Sequence, residues 1–291
     1  MNRSVLSPVE RGRKGVRWGL RGANALLLVV LIIVGLGPLL WLAKSATSTT
    51  QDTLRNPMSL WPSGFDFENL VTAWRDAQIG HYFFNTVKIA VGSWLVQLVV
   101  AVTGGYVLGI LRPWYARILT GAVLVTLFVP PVVLLVPLFL TVLDLPIAGM
   151  SLLNSYWGIW LPAGASAFNV ILVKRFMENL PIEIIEAARV DGAGPIRLLL
   201  SIVLPMSKPV IGVVSVFAVL ITWKDYLWPL VVLPDSEIQP LSVRLPLVRD
   251  TLQLDVFLAA LAISMVLPIG LFIVFRRFFI SGEAMSGAIK G

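Results

Sequence analysis

Residues 179–209 read NLPIEIIEAARVDGAGPIRLLLSIVLPMSKP, a polar interval between two long apolar runs. Its fixed positions follow the pattern EAA-x3-G-x9-I-x-LP: Glu186, Ala187, Ala188, Gly192, Ile202, Leu204 and Pro205. Pro181 suits the first turn of a helix, where its missing N–H has no partner to lose. Ile182, Ile185 and Ala188 fall on one side of that helix. Gly192 follows Arg189-Val190-Asp191, and glycine takes the left-handed conformation that ends a helix and turns the chain. Gly194-Pro195 then opens a second short helix through Leu200, running towards Leu204-Pro205. The expectation is helix, sharp bend, helix. Ala187 and Ala188 are small enough for a partner to approach the backbone, and Glu186 offers a carboxylate. On the residues alone, the stretch is either an amphipathic loop against a membrane face or a docking surface.

Working outward, the flanks decide the class. Of 291 residues 57% are hydrophobic and 13% charged, against about 25% charged in soluble domains. Six apolar runs follow one another: 22–43, 89–111, 118–143, 156–173, 210–233 and 256–275. Runs of this length span about 30 Å of hydrocarbon as helices. The chain is therefore expected to be an all-α, polytopic membrane protein with six transmembrane helices. Residues 1–21 form a basic tail. The run after it is too long for a signal-peptide core and is expected to be kept as the first span. Pro130, Pro131 and Pro137 interrupt the third run, which places it where neighbours satisfy the freed backbone groups.

Lysine and arginine fix the orientation. With the N-terminus inside, the inner segments carry sixteen and the outer segments five. The positive-inside rule then puts both termini and the 179–209 segment in the cytoplasm. Domain boundaries follow: a tail over 1–21, a transmembrane region over 22–280 and a C-terminal tail over 281–291. In the long outer loop, Phe67, Leu70, Val71 and Trp74 share one helical face behind Asp66 as a candidate N-cap. That helix either lies on the membrane surface or meets an extracytoplasmic partner.

The net charge of +7 is dispersed along membrane edges and forms no continuous patch, so nucleic acid is not an expected partner. The chain contains no cysteine, which excludes disulfides and thiolate metal sites. One histidine, His81, makes no metal site by itself. An intramembrane enzyme needs clustered nucleophiles, carboxylates or metal ligands within the spans, and a proton-coupled carrier or channel needs several intramembrane acids. Only Asp225 qualifies, near the end of a span.

The EAA pattern, in a cytoplasmic loop between the fourth and fifth spans, resembles the coupling-helix motif of membrane subunits of binding-protein-dependent ABC importers. Pro38-Leu39-Leu40-Trp41, Asn85 and Trp223-Lys224-Asp225-Tyr226-Leu227-Trp228-Pro229-Leu230 are similar to carbohydrate-import permeases. The ending Ser286-Gly287-Ala288-Ile289-Lys290-Gly291 resembles the tail of the smaller maltose-importer permease. Lys224 stands where that family more often has Asn. The resemblance implies an ABC importer permease fold in the bacterial inner membrane. It implies a role without catalysis in sugar import, or import of another solute such as glycerol phosphate, an amino acid or a polyamine. The implied partners are a companion permease, two copies of an ATPase subunit and an extracytoplasmic sugar-binding protein. No cofactor is expected on this chain. It lacks a GxxxxGK[ST] phosphate loop, so ATP and magnesium are expected on the ATPase.

By the same resemblance, Glu186, Ala187, Ala188, Asp191, Gly192, Ile202, Leu204 and Pro205 couple to the ATPase, and Gly287, Ala288, Ile289, Lys290 and Gly291 contact it. Gln97 and Asn169 lie deep in their runs and either hydrogen-bond a sugar or pair between helices. Trp74, Trp223, Lys224 and Asp225 are candidates for the outer face and a binding-protein contact.

Overall fold

The computed structural model describes residues 14–59, 61–146 and 149–288. Helices account for all regular structure among them. The chain divides into two compact units. One comprises residues 14–73 with 252–263, the other 74–251 with 264–288.

In the first unit, α1 (Lys14–Ala46) presents leucine, valine and isoleucine on all sides. A helix apolar all round belongs in lipid or against partner helices. Its C-terminal end is anchored differently. Lys44 Nζ lies 3.1 Å from Asp52 Oδ2, both buried. Asp52 belongs to α2 (Thr50–Arg55), which Thr49 caps by accepting from the Asp52 N–H. The Lys44 ammonium holds the Asp52 carboxyl down to about 2. Asp255 Oδ2 accepts from Thr50 N at 3.2 Å, tying the start of the last helix to the same loop.

Helix α3 (Glu68–Arg75) forms where expected, and its apolar face is not packed against the rest of the unit. Asn69 and Ala73 are the buried residues, while Phe67, Val71 and Trp74 are exposed. Asn69 fixes this orientation, its Nδ2 donating to the buried Ser48 carbonyl at 2.9 Å. Asp66 accepts from Glu68 N at 3.1 Å, two residues ahead.

The second unit is built on α4 (Ile79–Tyr106), extended by one π-helical turn, Val107–Leu111. Three helices long and apolar enough to cross a membrane occur among the described residues: Trp18–Ala46, Ile79–Leu111 and Leu254–Leu271. The count reaches five if each of two bent pairs is one span. The first pair joins α5 (Ala116–Thr126) to residues 131–143, which end in α6 (Leu135–Leu143), with a bend of 101°. Pro130 and Pro131 sit at that bend, as their lost N–H groups require.

The run expected over 156–173 is split into α7 (Trp157–Ala163) and α8 (Ala167–Glu178). Gly164 N and Ala165 N close turns onto Leu161 and Pro162, and Ser166 Oγ then caps α8 by accepting from Asn169 N. Helix α8 lies close on α4. A Cβ at Gly105 would meet Val173 Cγ1 at 2.6 Å and the Lys174 backbone N at 2.9 Å. Small residues at such a crossing are what membrane helices use to pack, since no hydrophobic force separates them from lipid.

The chain continues through α9 (Ile182–Val190) and α10 (Pro195–Leu198). A π turn over Leu199–Val203 leads into α11 (Leu204–Met206). Then come α12 (Lys208–Lys224), α13 (Leu227–Val232) and α14 (Leu241–Val248). The last helix, α15, is Leu254–Ala288. Asn85, on α4, donates to Glu237 O at 2.7 Å and Gln239 O at 3.2 Å, and accepts from Tyr156 OH at 3.0 Å. One amide thus fastens α7 and the loop before α14 to the central helix.

Candidate functional site

The 179–209 segment is a bent, capped lever. Helix α9 ends at Asp191. Gly192 follows with φ +79°, its N–H donating to Arg189 O at 3.0 Å while Ala193 N donates to Ala188 O at 2.9 Å. This reciprocal pair is a Schellman motif with glycine in the left-handed position. The expected bend at Gly192 is therefore present. Gly194 is extended and Pro195 opens α10. The second helix is shorter than Leu200, because a π turn takes over at Leu199. A second bend of 81° separates residues 195–206 from α12.

Burial divides the lever into an inner and an outer side. Ile185, Ala188, Leu198 and Val203 are buried in one cluster with Tyr106, Val173 and Met177, and Ile202 packs against it. Tyr106 OH donates to Pro195 O at 2.9 Å. The lever is thereby fixed to α4 and α8 by side chains that sequence reasoning passed over, Tyr106 and Val203. The only legible signal for them was apolar spacing. On the outer side, Glu186, Ala187, Asp191 and Pro205 are exposed. Val190 is 88% exposed, Ile196 75% and Leu200 56%. Ala188 turns into the chain's own core, so of the two alanines only Ala187 is open to a partner. Ile182, expected on the inward stripe, is also exposed.

Beside the lever, Glu178 closes α8. Its Oε1 accepts from Lys174 Nζ at 2.7 Å and lies 3.8 Å from Arg112, and its Oε2 lies 3.3 Å from Arg175. Burial raises the Glu178 carboxyl, but the Lys174 hydrogen bond and the surrounding cations outweigh it and leave it below its ordinary value.

A cavity of ≈ 330 Å³ opens among α4, α7, α12 and α13. Gln97, Ser166, Thr222 and Asp225 supply its polar lining, and no lysine or arginine lines it. Gln97 also accepts, through Oε1, from Asn169 Nδ2 at 2.9 Å. Asn169 is fully buried and does not line the cavity. The two residues named together from sequence are thus joined, with Gln97 at the cavity wall and Asn169 behind it. Asp225 is placed at the cavity, with its Oδ1 accepting from Trp228 N at 3.3 Å. Lys224 is exposed, and Trp223 packs its ring 6.0 Å from Phe83. Trp74 stands against Phe83 and Phe84 at 5.8 and 5.9 Å. Ser166 and Thr222 were missed; Thr222 stands three residues before Asp225, which puts it on the same helical side. Gly287 and Ala288 end α15, while Ile289, Lys290 and Gly291 lie outside the described residues.

Among the described residues the fold is all-helical, with apolar and proline-broken helices, an exposed bent lever and a polar-lined cavity, an arrangement that suits a membrane transport subunit. Residues 101–281 match the model of the binding-protein-dependent transport system inner membrane component. The chain belongs to that family and is a permease of the ABC importer type. It is 30% identical to the diacetylchitobiose uptake system permease protein NgcG of Streptomyces coelicolor, over 92% of this chain and 88% of that protein. It is 26% identical to the sn-glycerol-3-phosphate transport system permease protein UgpE of Agrobacterium fabrum, over 88% of this chain and 93% of that protein. Its fold matches a chain of a bacterial ABC transporter involved in import of the acidic polysaccharide alginate. The TM-score is 0.79 at 24% identity, covering 95% of this chain and 99% of that one.

Proposed function

We propose that this chain is one half of the translocation pathway of an ATP-driven sugar importer, with no catalysis of its own. The observation that carries the coupling role is the two-sided lever. Ile185, Ala188, Leu198 and Val203 root it in the bundle, while Glu186, Ala187, Val190 and Ile196 stand exposed. A patch that is apolar and charged together, on a segment held rigidly from behind, suits docking to another protein. In the proposed cycle a separate ATPase, two copies per transporter, closes on ATP and Mg²⁺ and pushes the lever. The lever turns α4 and α8 through Tyr106 and the shared cluster. The bundle, paired with a companion permease, then alternates between inward-open and outward-open states. A binding protein delivers solute from outside. In this reading the split helices α7 and α8 act together as a sixth span, both termini are cytoplasmic, and the end of the chain, Gly287–Gly291, also meets the ATPase.

The solute proposed is a neutral sugar. Gln97, Ser166 and Thr222 are hydrogen-bonding groups suited to hydroxyls, and Asp225 adds a carboxylate acceptor. A cavity lined by no cation is poorly matched to a phosphate, which weighs against glycerol phosphate as the alternative.

The test uses Glu186→Lys and Ala187→Trp. Each is expected to reduce ATPase co-purification and uptake together while leaving the permease in the membrane. Wild-type co-purification and uptake in both variants overturn the docking reading. Because the natural chain lacks cysteine, Ala187→Cys reports sidedness directly: labelling from the cytoplasmic side alone supports the orientation, and labelling from outside alone overturns it.

A further inference from the structure

A second pocket, of ≈ 610 Å³, lies at the end of α4 where the chain turns into α5. Arg112, Arg117 and Lys174 line it together with Trp114 and the apolar side chains of Leu108 and Ile118. Arg112 takes the left-handed conformation, φ +47°, a backbone state that costs an L-residue about 1–2 kcal/mol. Its Nε is fixed by donating to Gly109 O at 2.8 Å. Lys174 is buried and held by Glu178. Arg117 is exposed and makes no ion pair or hydrogen bond among the described residues. Arg112, Lys174 and Arg175 share the single Glu178 carboxylate and Arg117 has no counter-charge among the described residues, so the rim is left positive. Trp114 is 87% exposed and Ile118 68% exposed, directly beside these charges.

We propose that this pocket binds the headgroup of an anionic phospholipid of the inner leaflet, its phosphodiester between Arg112 and Arg117 and its glycerol and upper acyl chain against Trp114 and Ile118. Charge and hydrocarbon contact in one concave site at a helix end is the combination an anionic lipid offers and a free anion does not. Basic pockets between helices at the membrane–water boundary bind such headgroups, and exposed tryptophan sits at headgroup level. The site lies beside Glu178, the last residue of α8, immediately before the 179–209 lever begins. An occupied site would therefore brace the helix end through which the lever moves. The placement rests on the orientation proposed above.

The complete transporter is reconstituted in nanodiscs containing either brominated phosphatidylglycerol or brominated phosphatidylcholine at equal mole fraction. Tryptophan quenching is read as the difference between wild type and Trp114→Phe, which isolates that ring. Quenching is expected to favour phosphatidylglycerol, and Arg117→Gln to lower the preference about fivefold, the factor equivalent to ~1 kcal/mol per basic residue near an anionic surface. The Arg117 side chain makes no ion pair or hydrogen bond among the described residues, so its replacement leaves folding intact. Arg249→Gln, outside the pocket, is expected to leave the preference unchanged and controls for net charge. Four results overturn the proposal: equal quenching by both lipids, a preference indifferent to Arg117→Gln, an equal drop in preference for Arg249→Gln, or loss of the preference in millimolar inorganic phosphate, which marks a free-anion site. Labelling of Trp114→Cys from outside alone, with the lipid preference intact, overturns the orientation and the inner-leaflet assignment but not the headgroup site.

Discussion

Replacing Gly192 separates backbone geometry from surface chemistry. At φ +79° a Cβ meets nothing within 4 Å, so Gly192→Ala introduces no clash. Its cost is the left-handed conformation alone, about 1–2 kcal/mol for an L-residue. That penalty falls only on the bent form of the lever, which the Schellman hydrogen bonds of Gly192 and Ala193 define. A straightened α9 cannot present Glu186 and Val190 in the same relation to Ile196. If docking requires the bend, the bent population and hence the apparent affinity for the ATPase fall by roughly 5–30-fold. Asparagine adopts the left-handed region far more readily, so Gly192→Asn is expected to recover most of the loss. Gly192→Val, β-branched, is expected to fare worst. The assay is a titration of purified ATPase onto the reconstituted permease, with solute uptake measured alongside. Affinities ranked glycine, asparagine, alanine, valine support the bend as the determinant. Alanine and valine both at wild-type affinity would refute it, and asparagine as poor as valine would show that side-chain volume, not conformation, is at issue.

Tyr106→Phe removes the hydroxyl that donates to Pro195 O; it is expected to cost about 0.5–1.5 kcal/mol and to lower uptake more than ATPase binding, which side-by-side uptake and pull-down measurements check. Gln97 and Asn169 are hydrogen-bonded across α4 and α8, so a double-mutant cycle with Gln97→Leu and Asn169→Leu in detergent unfolding is expected to give a coupling of about 0.6 kcal/mol, up to about 1.7; zero coupling would refute the pair. Glu178→Gln keeps the shape but removes the acceptor charge for Lys174, an expected loss of about 1.5–3 kcal/mol near neutral pH. The Glu178 carboxyl lies below its ordinary 4.5 in the folded chain, so its ionised form is the stabilising one. That stability is fully present above the ordinary value and is lost as pH falls below it. The wild-type advantage over Glu178→Gln in thermal unfolding should therefore shrink in that acid range, and a gap constant with pH would contradict the cluster.

What was legible in the sequence is what local chemistry determines. The Gly192 bend, the start at Pro195 and the break at Pro130-Pro131 each follow from a backbone constraint that one or two residues impose, and each is where it was expected. Hydropathy located the apolar runs but not their continuity. The split between α7 and α8 arises because Pro162, Gly164 and Ser166 together offer turn and capping bonds that compete with helix. An apolar average over the run does not register that competition.

Facing direction was the least legible property, and the reason is the solvent. In a soluble protein the apolar side of a helix points inward, so periodicity reports orientation. In a chain whose surroundings include lipid, inward positions are chosen by hydrogen bonds and close packing instead. Asn69 is the inward residue of α3 because its amide satisfies the Ser48 carbonyl. Asn169 is hidden behind Gln97 because its Nδ2 donates to Gln97 Oε1 between the helices. Conversely, Val190, Ile196 and Leu200 stay exposed on the lever although nothing in their spacing sets them apart from core residues. On the proposed docking reading, a partner covers these exposed apolar groups beside Glu186 and Asp191. The residues that periodicity misplaces in this family are therefore informative. On the proposed reading they mark the surface that another molecule covers.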